Sequence, residues 1–128
     1  MRNNIEISFE KPIYTVDEKN GVVVCVLKYK ADAPNNVIFA GSNTLYGNYW
    51  YKTHSVKAIA RVRDNDKFDA NVGKKVSLAK AENLAYSHVN DLVKSAHISM
   101  CRSLYAIRSF YRKANKVKKH NIEYMKKF

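Results

Sequence analysis

Arg102, Tyr105, Arg108, Arg112 and Lys116 recur at steps of three and four residues, the interval that brings side chains onto one face of an α-helix. Arg108 and Arg112 are one turn apart, so two planar guanidinium forks can converge on the oxygens of one pyrophosphate or of neighbouring phosphates. Tyr105 falls one turn before Arg108 and offers a ring on which a base can stack, with Arg102 as an accessory cation. The same residues would also make an ordinary solvated basic face. Leu104, Ile107, Tyr111 and Ala114 cluster on the other side and give such a helix a surface to bury.

A second basic group lies upstream. Over 56–63, Val56, Ala58, Ala60 and Val62 alternate with Lys57, Ile59, Arg61 and Arg63, which predicts a strand with one apolar and one largely basic face. Arg61 and Arg63 are therefore accessory candidates for a site wall. The triplet Tyr49, Trp50 and Tyr51 can extend that wall, although burial in the core or in an oligomer interface is the better expectation for Trp50. From Arg102 onward the chain carries nine Lys or Arg against one acid, Glu123, a net of +8. A tail such as Lys116, Lys118 and Lys119 can hold polyanions without sequence preference or simply keep the chain in solution.

Catalytic chemistry has little to work with. His54, His88, His97 and His120 are scattered, and none is read as paired with a cysteine, serine or carboxylate in a nucleophile-and-base arrangement. The four glycines are too dispersed for a phosphate-cradling loop. Cys25 and Cys101 lack the spaced partners of a zinc site and are read as buried thiols. The expectation is a protein that is not an enzyme, with no catalytic residue, metal or cofactor.

The whole chain must position these groups, and its 128 residues suit one domain with its own core. A composition of 46% hydrophobic and 27% charged residues is that of a folded protein. A net charge of +12 implies an anionic partner, since it costs self-repulsion that a balanced surface avoids. The first residues, Met1 to Asn4, lack the apolar stretch of a signal peptide, and no run approaches a membrane span of roughly 20 residues. The expected compartment is the cytoplasm.

Ile5, Ile7 and Phe9 alternate with polar residues, and Pro12 ends or bulges that first strand. Residues 13–16 and 22–29 flank a turn closed by Asn20 and Gly21 and predict a hairpin. A loop over 31–36 precedes a further strand over 37–40, and a Gly-punctuated surface loop over 41–48 leads into the aromatic triplet. Asp66 or Asp69 can cap a helix start. Beyond Gly73 there is neither glycine nor proline. A stripe from Leu78 through Ala85, Val89 and Ala96 to Ala114 makes the second half helical. The predicted architecture is α+β: a small N-terminal antiparallel sheet within 1–63, two long C-terminal helices within 69–120 that break near 95–99, and a basic tail over 116–128.

This order of elements, with the junction Phe68-Asp69-x-x-x-Gly73-Lys74-Lys75, resembles small phage proteins of the anti-Thoeris nucleotide-sponge family. The resemblance implies a protein of the infected bacterial cell that sequesters cyclic ADP-ribose signals made by TIR-domain proteins, in some members also cyclic oligonucleotides of CBASS systems, without cleaving them. It implies that Arg108 and Arg112 are the paired arginines of the ligand site, and that the chain forms homo-oligomers, dimers or hexamers. The alternative is a basic phage factor that binds nucleic acid or inhibits a protein, in the manner of an anti-CRISPR. A structural subunit of a phage particle is a third reading.

Overall fold

The computed structural model describes residues 4–35, 49–63 and 66–128. The strand expected over 37–40 and the loop expected over 41–48 lie outside the described residues. Among the described residues, four strands and one long helix follow in chain order: β1 (Glu6–Phe9), β2 (Ile13–Asp17), β3 (Val22–Asp32), β4 (Thr53–Arg61) and α1 (Ala70–Met125).

β3 is the spine of the sheet because its eleven residues alternate small or apolar groups that bury with side chains that do not. One edge pairs antiparallel with β1 and β2 in succession, Phe9 opposite Tyr29 and Ile13 opposite Val26. Pro12 lacks the N–H that a continuous ladder would need, so the first strand is interrupted there and resumes. The other edge pairs with β4, Cys25 opposite Ala58 and Leu27 opposite Val56. The β2–β3 turn is held by Asn20, whose backbone N–H and side-chain amide donate to the Asp17 carboxylate at 3.2 and 2.7 Å. Those bonds hold the Asp17 carboxyl below its ordinary pKa. Gly21 closes the turn at φ +62°, and a Cβ there would stand 2.2 Å from Val62 Cγ1. Only glycine satisfies both conditions.

α1 covers one face of the sheet. Asp69 caps it, its Oδ1 accepting from Asn71 N at 2.9 Å and Val72 N at 3.4 Å. Ala81, Ala85 and Val89 pack with Cys25, Leu27, Val56 and Ala58 in one buried cluster, and Ala96 is buried farther along the helix. Small residues let the helix lie close to the strands. Gly73 is one such close approach, since a Cβ there would come within 2.5 Å of Val23 Cγ2. Ser77, also fully buried, donates its hydroxyl to Lys74 O at 3.1 Å and so leaves no orphan donor in the seam.

The two predicted helices are one. α1 runs unbroken for 56 residues, about 84 Å at 1.5 Å per residue. The segment 95–99 carries two serines, but serine costs a helix interior only about 0.5 kcal/mol relative to alanine. Without glycine or proline nothing there disfavours continuation, and helical geometry also takes in the basic tail as far as Met125. Ala96 is the last buried residue; from Ile98 on, all but Ser99 and Ala114 are exposed.

Candidate functional site

Arg108 and Arg112 lie where their spacing put them, on an exposed face of α1, and with Cys101, Leu104, Tyr105 and Ser109 they line a cleft of about 370 Å³. A cleft of this size falls within the range of small-molecule sites. All its walls come from one helix, so it is a groove between side chains. The guanidinium groups and the phenol ring of Tyr105 supply donors and a stacking surface. Arg102 is exposed on the same helix but does not line the groove.

Arg61 and Arg63 belong to a different place. They line a larger cavity, about 640 Å³, between the end of β4 and the first turns of α1, with Lys67, Lys80, Phe68 and Asp69. Lys80, the most C-terminal of its lining residues, is 21 positions before Cys101, roughly 30 Å along the helix axis. The two basic groups therefore do not share one small ligand. The upper cavity is also electrostatically mixed. Asp69 occupies the helix N-terminus, where an anion would otherwise gain from free N–H groups, and the Lys80 ammonium donates to Ile59 O at 3.1 Å.

The aromatic triplet builds core and strand edge. Trp50 is only 5% exposed and packs in the core, as expected over ligand stacking. The Tyr51 hydroxyl donates to Ala33 O at 2.7 Å. Tyr49 stacks on His54 with ring centroids 3.9 Å apart, His54 Nε2 donates to Tyr49 O at 2.7 Å, and the Tyr29 and Tyr49 hydroxyls are hydrogen-bonded. His88 Nδ1 lies 3.4 Å from the Tyr29 hydroxyl. Burial, then the bond from Tyr29, raises the Tyr49 pKa well above that of an ordinary phenol. This network ties the segment after the undescribed residues to the sheet and to α1.

Two readings of the sequence need correction. Cys25 is buried, but Cys101 is exposed. His97 does have a cysteine beside it, with Cys101 Sγ 3.6 Å from His97 Nε2. Their i, i+4 spacing on a helix was the available signal. The pair lies in mid-helix, where the helix's own backbone N–H groups are already bonded to carbonyls one turn back.

Among the described residues no group of three or more His, Cys, Asp or Glu side chains could hold a metal ion, and no helix is long and apolar enough to cross a membrane. The class defined by fold and site is an α+β protein with a small antiparallel sheet and a single long helix whose distal half presents a basic face. Compared with known proteins, the chain matches no family model, and no curated protein or solved structure is significantly similar to it.

Proposed function

We propose that the protein is a non-catalytic binder of a phosphate-bearing nucleotide, and that its role is to sequester a cyclic nucleotide immune signal of the cyclic ADP-ribose type. The observation that carries the reading is the groove in which Tyr105, Arg108 and Arg112 stand together. Two guanidinium forks one turn apart suit the oxygens of a pyrophosphate, and the adjacent ring suits its base. Binding of this kind needs no acid, base or nucleophile, and the ligand is released intact. The resemblance of the Phe68 to Lys75 junction to phage nucleotide sponges supports the choice of ligand.

A second reading, nucleic-acid binding, is favoured by one feature: basic residues are not confined to the groove but continue along the exposed helix to Lys119, with Lys126 and Lys127 just past its end. Equilibrium dialysis against cyclic ADP-ribose isomers and against duplex and single-stranded DNA, repeated at rising salt, separates the two. The nucleotide reading expects isomer binding that falls only mildly with salt, because few charges are neutralised. Binding to DNA alone, falling steeply as counterions compete, would replace it with the second reading.

A further inference from the structure

The backbone groups of β4 point two ways. Just past the end of the strand, Val62 N–H donates to Gly21 O at 2.8 Å, and in an antiparallel pair the residues that exchange such bonds alternate with those that do not. Ala60, Ala58 and Val56, at even steps from Val62, therefore spend their backbone groups on β3, opposite Val23, Cys25 and Leu27. Lys57, Ile59 and Arg61 turn theirs outward, away from β3. The Lys80 ammonium, which reaches Ile59 O at 3.1 Å, fits that phase. Among the described residues β4 pairs with β3 alone, so the outward row is a sheet edge.

A groove runs beside that edge. The cavity of about 640 Å³ at Arg61 and Val72 adjoins a second cleft of about 400 Å³ at Ile59 and Leu84, and Lys80 lines both. Along the helix wall Val72, Val76 and Leu84 stand 55, 41 and 41% exposed, while Ala81 and Ala85 bury against the sheet. From Val72 to Leu84 is roughly 18 Å along the axis, the length of about five or six residues of extended chain. Charge along the groove is mostly of one sign: Lys57, Arg61, Arg63, Lys67 and Lys80 stand against Asp66 and Asp69.

The geometry points to the β4 edge as a docking site for an extended acidic segment of another protein, which adds to the sheet as a further strand. The outward main-chain groups of Lys57, Ile59 and Arg61 supply the ladder. Side chains of an added strand alternate between two faces. Every second one lies over Val72, Val76 and Leu84, and those between stand beside Lys57 and Arg61, whose side chains are exposed where Val56, Ala58 and Ala60 are buried. The matching segment therefore alternates apolar and acidic residues. As its N–H takes the Ile59 carbonyl, the Lys80 ammonium is released to a carboxylate. A second copy of β4 does not serve, because cationic edges repel their own kind. The site is roughly 30 Å along α1 from the groove of Arg108, and it stands whether or not that groove holds a nucleotide.

Fluorescence anisotropy of the full chain with a labelled, capped peptide of about eight residues, alternating valine and glutamate and long enough to span the groove, tests this. The inference expects saturable binding that is lost when every peptide amide is N-methylated, and little binding of a valine–lysine peptide. Amide hydrogen exchange read by NMR should slow at Lys57, Ile59 and Arg61 when the peptide binds. Leu84→Glu, on an exposed helix flank, should leave the fold intact and weaken binding roughly tenfold or more. Ile59→Pro, which removes an outward N–H that β3 does not use, should abolish it. Arg108→Ala should change nothing, which separates this edge from the nucleotide groove. No binding, equal binding of the N-methylated or lysine peptide, unaltered exchange at the three amides, or indifference to Leu84→Glu would overturn the docking site. The cations of β4 would then be guards against edge-to-edge aggregation.

Discussion

Replacing Arg108 or Arg112 by alanine separates the groove from the rest of the basic surface. Both side chains are exposed on a helix, and alanine is at least as good a helix former as arginine, so neither change should lower the melting temperature. Each guanidinium is expected to make one or two charge-assisted bonds to phosphate, each contributing about 1.5–3 kcal/mol. Loss of one such bond corresponds to roughly a tenfold to more than a hundredfold loss of affinity at 1.4 kcal/mol per decade. Lysine at either position should restore part of this, because an ammonium keeps the charge but not the planar fork. Lys94→Ala, on the same helix but about 20 Å along the axis from Arg108, serves as the control for bulk charge. Calorimetric titration with a cyclic ADP-ribose isomer, alongside thermal melts, reads both quantities. Full affinity in the two alanine variants, or an equal loss in Lys94→Ala, would refute the reasoning and move the search to the cavity of Arg61 and Arg63.

Three further outcomes test the scaffold. Gly21→Ala combines a left-handed backbone with a clash against Val62, and should cost about 2–4 kcal/mol and lower the melting temperature by on the order of 10 °C. Paired spin labels at Lys94 and Lys118, read on labelled chain diluted in excess unlabelled chain so that only distances within one chain count, should sit roughly 36 Å apart along one straight helix, and a much shorter distance would restore a break near 95–99. The Tyr49 hydroxyl, with its pKa raised in the folded state, contributes stability that is complete below the ordinary phenol range and lost as pH rises through the folded value. Tyr49→Phe should therefore flatten the alkaline decline in melting temperature; an unchanged decline would place its cause elsewhere.

Much of the fold is legible because its signals are local. Alternation over 56–62, the Asn20–Gly21 turn and the position of Asp69 before a helical run each depend on residues a few places apart. The interruption at Pro12 is of the same kind. The extent of the helix was harder to read. A stripe at steps of three and four looks the same whether a sheet covers it, as at Ala85 and Val89, or its residues stay exposed, as at Leu104 and Ile107. Serines near 95–99 invite a break that their small energetic cost does not enforce. The site was half legible for a similar reason. Arg108 and Arg112 share a groove because four residues make one helical turn. Whether Arg61 joins them depends on how far α1 carries them from the sheet, a distance that only the packing of Ala81 and Ala85 sets.

The central claim is that the protein holds an intact nucleotide and does nothing to it. Incubation with equimolar cyclic ADP-ribose isomer, removal of the protein by ultrafiltration, and chromatography of the filtrate before and after heat denaturation of the retained fraction test it directly. The account predicts that the isomer disappears from the first filtrate and returns chemically unchanged after heating. An isomer that stays in the first filtrate, or that returns as a cleaved product, would contradict it.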